Sequence, residues 1–102
     1  MPTTRTRTRK PYVIVRTLSA GVHAGVLESR KGQEVELSHA RRLWHWDGAA
    51  TLSQLAMEGT AKPANCKFPQ PVTSIILTQG IEIIPCTPAA RKSIEAVPVW
   101  KR

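Results

Sequence analysis

The chain has 102 residues, 41% of them hydrophobic and 22% charged, with a formal net charge of +8. That length holds one domain around one core, and the composition excludes both a disordered chain and a membrane-embedded one. Apolar runs such as Tyr12 to Val15 and Ile75 to Leu77 are strand-sized and far too short to cross a bilayer.

Residues 1–10 carry Arg5, Arg7, Arg9 and Lys10, with no acid and no apolar face. They predict a disordered basic tail. No apolar stretch of signal-peptide length follows, so the expected location is the cytoplasm. Lys101 and Arg102 make a basic C-terminal end. Residues 11–100 hold nine Lys or Arg against seven Asp or Glu. Most of the excess charge therefore belongs to the tails, which attract any polyanion without specificity.

Pro11 marks the entry to the domain. Tyr12 to Thr17 is rich in β-branched residues and reads as a strand, broken by a turn at Ser19-Ala20-Gly21. Val22 to Arg30 reads as a second strand, with Gly25 marking a bulge or a close backbone approach. Lys31-Gly32-Gln33 is the next turn, and Glu34 to Leu37 alternates polar and apolar as a third strand. Three short strands joined by glycine turns predict an antiparallel meander. Ser38 to Gly48 admits two readings. One is a helical turn capped by Ser38; the other, which the alternation favours, is a strand over 42–46 that sets both tryptophans on one face.

Thr51 to Glu58 reads as a short helix stopped by Gly59. Pro63, Pro69 and Pro71 make 60–71 a loop. Val72 to Leu77 and Ile81 to Ile84 are two more strands, with Gln79-Gly80 between them as a tight turn. Thr87 and Pro88 cap and start a helix running to about Glu95, and Trp100 is expected to pack back on the core. The expectation is one α+β domain over 11–100: a small, mostly antiparallel sheet of five to six strands with two short helices.

Enzyme signatures are sparse. No G-x-S-x-G, P-loop, dinucleotide glycine fingerprint or H-E-x-x-H occurs. Asp47 is the only aspartate and the glutamates are scattered singly, so no carboxylate pair is indicated. His23, His39 and His45 lack metal-ligand spacing, and neither a metal nor a cofactor is implied. Cys66 and Cys86 form no C-x-x-C pair, and cytoplasmic redox conditions disfavour a disulfide between them. Cys86 reads as a small buried hydrophobe. Binding rather than catalysis is the expectation, with an acid–base role for His23 or His45, near Ser19, left open.

Ala40 to Ala49 is the segment richest in chemistry. Arg41 and Arg42 give forked donors suited to phosphate or carboxylate. Trp44 and Trp46 flank His45, and aromatic faces stack on bases or guanidinium groups. If Leu43 and His45 face one way, Arg42, Trp44 and Trp46 face the other, a combination suited to a nucleotide. The competing reading places these tryptophans in the core or a subunit interface, the commoner fate in a small domain. Arg16 to Gly21 is a second candidate, because a strand-end arginine and a small-residue turn containing Ser19 offer a cation and backbone amides together. A plain hairpin turn is its competing reading.

Tyr12 to Val22 (YVIVRTLSAGV), Ala40 to Ala49 (ARRLWHWDGA) with Thr51 to Ala56 (TLSQLA), and Ile81 to Thr87 (IEIIPCT) together resemble an uncharacterised family of small phage and prophage proteins. The resemblance spans about residues 11 to 100 and implies a phage origin, hence the cytoplasm of a bacterial host. By analogy with small accessory phage proteins, it implies a host-defence inhibitor that sequesters a nucleotide-like ligand as a homo-oligomer. The ligand-binding residues would be Arg16, Ser19, His23, Arg41, Arg42, Trp44, His45 and Trp46. Two alternatives remain. One is a nucleic-acid-binding accessory protein using Arg5, Arg7, Arg9, Lys10, Lys101 and Arg102 with the Arg–Trp face; the other is a protein-binding inhibitor of a host enzyme, with the tryptophans as anchors. No membrane partner is expected.

Overall fold

The structure, a computed structural model, describes residues 10–101. Among them are five strands, β1 (Tyr12–Thr17), β2 (Val22–Lys31), β3 (Glu34–Arg42), β4 (Val72–Leu77) and β5 (Gly80–Pro85), and two helices, α1 (Leu52–Glu58) and α2 (Pro88–Ala96). The strands form an antiparallel sheet in the order β4-β3-β2-β1-β5. The α+β class and the central meander are as the sequence predicts. Among the described residues no helix is long and apolar enough to cross a membrane.

β4 and β5 stand at opposite ends of this order, yet only Thr78 and Gln79 join them. A flat sheet would hold them four strand spacings apart, about 19 Å, whereas three Cα steps reach at most about 11 Å. The sheet therefore curls until its edges nearly meet, as a half-closed barrel. Leu18 N–H donates to Gln79 O at 3.0 Å and Gly80 N–H donates to Gln33 O at 2.9 Å. These bonds pin the link to the β1–β2 and β2–β3 turns. The Gln79-Gly80 turn is thus not a hairpin turn.

Curling buries both faces of β1. Val13 and Val15 pack inside the barrel with Val35, Leu37 and Leu77, while Tyr12 and Ile14 pack outside it with Leu55 and Ala56 of α1, Ile94 of α2, and Phe68. Burial on both faces is why Tyr12 to Val15 is a continuous apolar run and not an alternation. The helices begin and end where their caps dictate. Thr51 Oγ1 accepts from Gln54 N–H at 3.1 Å, and Thr87 Oγ1 from Ala90 N–H at 3.0 Å. Thr87 Oγ1 also donates to Met57 O at 2.8 Å, tying the start of α2 to the end of α1.

β3 departs from the expectation. It runs unbroken through Ser38 to Arg42, and the strand predicted over 42–46 is absent except for an isolated bridge between His45 and Lys67. β2 begins at Val22, and Leu43 N–H makes the last ladder bond, 2.8 Å to Val22 O. Beyond that point the chain has no strand to pair with, so it leaves the sheet. Within β3 the register to β2 shifts between the Val26–Ser38 and Ala24–Arg41 pairs. The extra residue is accommodated by His39 at φ 49°, an αL bulge. Opposite it, a Cβ on Gly25 would lie 3.0 Å from Ser38 O and 3.1 Å from Ala40 Cα, so any side chain there would press on the backbone of β3. Trp100 is also less buried than expected. Its backbone N–H donates to Phe68 O at 3.0 Å, Lys67 Nζ sits over its ring, and 38% of the residue remains exposed.

Candidate functional site

The two segments singled out in the sequence meet in space. The β1–β2 turn contributes Ser19, Ala20 and Gly21, and the end of β3 contributes Arg42, Trp44 and Trp46, to one open groove of about 340 Å³. A smaller depression of about 110 Å³ adjoins it, with Arg42 on the wall of both. His23, Ala40 and Ile75 line this second space, beside the apolar cluster inside the curled sheet to which Ala40 belongs and against which Ile75 packs.

The turn is built from its own polar groups. Thr17 N–H and Thr17 Oγ1 both donate to Gly21 O, at 3.0 and 2.7 Å, and Ala20 N–H donates to Thr17 Oγ1 at 2.8 Å. Gly21 supplies the φ of 87° that closes the loop, and a Cβ there would stand 3.5 Å from Arg42 Nη1. The Thr17 and Ala20 amides are therefore spent inside the turn, which leaves fewer donors for an anion than the residue types alone suggest. The cation at the groove is Arg42.

The three candidate arginines have three different fates. Arg16 is exposed, and its Nε donates to Glu82 across the β1–β5 pair at 2.9 Å; it does not line the groove. Arg41 is 4% exposed. It donates from Nε to Pro69 O at 3.2 Å, from Nη1 to Ile94 O at 3.0 Å and from Nη2 to Phe68 O at 3.1 Å, and burial pulls its pKa down. Its donors are spent inward, joining β3 to the 68–69 loop and α2. Arg42 is exposed and gives one bond, Nη1 to Ala20 O at 2.8 Å. Among the described residues it has no carboxylate partner, so most of its five donors face the groove or water.

The tryptophans divide as well. Trp46 is half-buried and packs on the core around Leu43, Leu55 and Phe68. Trp44 is 64% exposed. His45 points elsewhere, pairing through its backbone with Lys67 at 3.3 and 2.7 Å. His23 is 1% exposed, and its Nε2 donates to Ala20 O at 2.9 Å. Because a carbonyl oxygen can only accept, the ring proton resides on Nε2. Burial is the main reason its pKa is held below the ordinary value, with the charge of Arg42 adding to it. Ser19 Oγ donates to Gln79 Oε1 at 3.0 Å.

Lys10 and Lys101 do not line the groove. Lys10 pairs with Glu28 and Lys101 is exposed, while Arg5, Arg7, Arg9 and Arg102 lie outside the described residues. Cys66 and Cys86 are both free thiols, and burial pushes the Cys86 thiol up to about 11. Among the described residues no three His, Cys, Asp or Glu side chains converge as a metal site.

Sequence reasoning missed the second depression. Ala40, Gln70, Val72 and Ile75 come together there only because β4 docks on β3 as the sheet curls. Nothing in their local pattern marks them. A family model described as Domain of unknown function (DUF6948) matches residues 10–94, which takes in both segments of the groove. No curated protein and no solved structure matches the chain.

Proposed function

The chain belongs to the family of the Domain of unknown function (DUF6948), and because that membership carries no activity with it, we propose a function from the groove: capture of a small, phosphate-bearing, nucleotide-like ligand. The observation that carries this reading is the placing of Arg42 and Trp44 on one groove. An arginine with no carboxylate partner among the described residues and a tryptophan left 64% exposed line the same depression. A guanidinium fork suits phosphate, and an indole face suits a base. At about 25 cal/mol per Å², leaving that indole in water forgoes stabilisation that a stacked ring would restore.

Capture fits the groove better than turnover. Ser19, the hydroxyl on its wall, donates to the Gln79 amide oxygen and not to a base. Ligand sequestration in the cytoplasm of a bacterial host, as a phage-encoded host-defence inhibitor, is the biological role that goes with the sequence resemblance. Assembly into a homo-oligomer belongs to the same proposal. Its support is β4, an edge strand reading VTSIIL without a single charge, whose Val72 and Ile76 are 47% and 57% exposed.

Isothermal titration with cyclic and linear nucleotides tests the proposal. Saturable heat with at least one of them, accompanied by a raised melting temperature, is the expected result. Silence across the panel, with thermal stability unchanged, overturns it.

A further inference from the structure

One ring nitrogen of a buried histidine makes no hydrogen bond within the described fold. His23 is 1% exposed, and its Nε2 is committed to the Ala20 carbonyl at 2.9 Å. That bond places the proton on Nε2 and leaves Nδ1 a bare lone pair. Among the described residues nothing donates to Nδ1, yet none of their side-chain nitrogens or oxygens is both sealed from solvent and unpartnered. Nδ1 therefore keeps a slight opening to solvent. The space that His23 lines is the depression of about 110 Å³ beside Arg42.

From this geometry we infer that His23 Nδ1 is a fixed hydrogen-bond acceptor that reads a hydroxyl or amino group of the ligand, making the small depression a specificity pocket of the groove. The inference rests on the nucleotide-capture reading and adds which chemical group the ligand presents there. Ala40, Val72 and Ile75 give the pocket apolar walls. A ligand donor entering it without a partner would be desolvated and left unsatisfied, and Nδ1 supplies the partner. A keto oxygen in the same position would face the lone pair and be rejected. Arg42 holds the opposite preference next door, offering donors to an anion. The two sub-sites together select a ligand that carries both a phosphate and a hydrogen-bond donor.

The strand pairing keeps this acceptor in place. His23 faces Arg42 across β2 and β3, and both side chains are held by the Ala20 oxygen. The ring cannot flip without losing its bond to Ala20, so the position of Nδ1 is fixed along with it.

Nitrogen NMR of histidine-labelled protein, titrated with AMP, IMP and the dideoxy form of AMP, tests the inference. In the free protein the His23 resonances should show a protonated Nε2 and a bare Nδ1; a protonated Nδ1 overturns the assignment outright. AMP should move the Nδ1 resonance. If the group read is the amine, IMP binds about tenfold more weakly; if it is a sugar hydroxyl, the dideoxy nucleotide does. His23→Gln, which can keep a donor on Ala20 O and so preserve the turn, should abolish that discrimination while circular dichroism stays unchanged. AMP binding that shifts tryptophan fluorescence but leaves Nδ1 still, with all three nucleotides equal, overturns this inference and leaves nucleotide capture standing. The absence of a tryptophan response to all three overturns this inference, whereas the capture reading itself falls only with silence across the full panel of cyclic and linear nucleotides.

Discussion

His23 and Arg42 face each other across β2 and β3 and donate to the same oxygen, the Ala20 carbonyl, at 2.9 and 2.8 Å. One acceptor thus clamps the β1–β2 turn to the end of β3. Both walls of the groove are fixed by that clamp before any ligand arrives. A preorganised site spares the ordering cost that a mobile loop would charge against affinity. The chemistry of the groove and the geometry of the turn are therefore one structural unit.

Arg42 and Trp44 should separate binding from stability. Both are exposed, so Arg42→Ala and Trp44→Ala should each change unfolding free energy by no more than about 1 kcal/mol. Binding is another matter. A stacked base is worth about 1–3 kcal/mol, so Trp44→Ala should weaken nucleotide affinity roughly ten- to hundredfold. Arg42→Ala should cost at least about tenfold, with a reduced salt dependence. Calorimetric titration beside urea denaturation reads both quantities. Full affinity in either variant would remove that residue from the site.

Arg41 should behave in the opposite way, although it is the next residue. Its three carbonyl bonds join β3 to Phe68, Pro69 and α2, and its guanidinium lies 5.5 Å from the Phe68 ring centroid. Arg41→Met keeps much of the volume but strands those acceptors. The expected loss is about 3 kcal/mol or more, since bonds to a charged donor are worth about 1.5–3 kcal/mol each. Whatever fraction stays folded should bind ligand normally. Urea denaturation with titration at low temperature distinguishes a structural tie from a ligand contact.

That contrast also marks how far the sequence could be read. The β-branched run of β1, the glycine turns and the Thr-Pro start of α2 are local signals, and each became the element it predicts. Arg41 and Arg42 are locally alike, and no pattern says which side chain turns inward; that depends on where β2 ends and the strand loses its partner. Gln79-Gly80 looks like a hairpin turn because its residue types suit one. Its true role, crossing the open seam of a curled sheet, is a long-range property of strand order. The same holds for the His23 pocket, whose walls come from β2, β3 and β4. The two candidate segments are legible as chemistry and are expected to share one site; the strand geometry that brings them together is not legible in the sequence.

The depressed pKa of His23 makes stability depend on pH. The folded value lies below the ordinary 6.5, chiefly through burial, while the unfolded chain titrates near the ordinary value. Between the two, the unfolded state binds more protons, so stability rises with pH. The full contribution is present above about 6.5 and is lost as pH falls through that value toward the folded one. Glu28 and Asp47 are also depressed, by hydrogen bonds from Lys10 and Asn65 first, but relative to ordinary values of 4.5 and 3.8. They act at lower pH. Melting temperature should therefore fall between about pH 7 and about pH 5, and His23→Gln should flatten that segment of the curve. An unchanged slope in the variant would show that His23 is not the titrating group.

The two edges of the sheet should differ in what they join. β5 is guarded: Glu82 is held by Arg16, and the strand ends in Pro85. β4 carries no charge and no proline between Val72 and Leu77, and such edges pair with another strand unless blunted. A two-fold pairing of β4 with β4 of a second copy would cover Val72 and Ile76, 47% and 57% exposed in the single chain. It would also extend the wall of the His23 pocket, to which Val72 contributes. Light scattering should find a dimer or higher oligomer in the unaltered chain. Ile76→Lys should dissociate it, while Ile81→Lys, on guarded β5, should not. A monomer at micromolar concentration would rule out β4 pairing, and oligomers that survive Ile76→Lys would move the interface elsewhere.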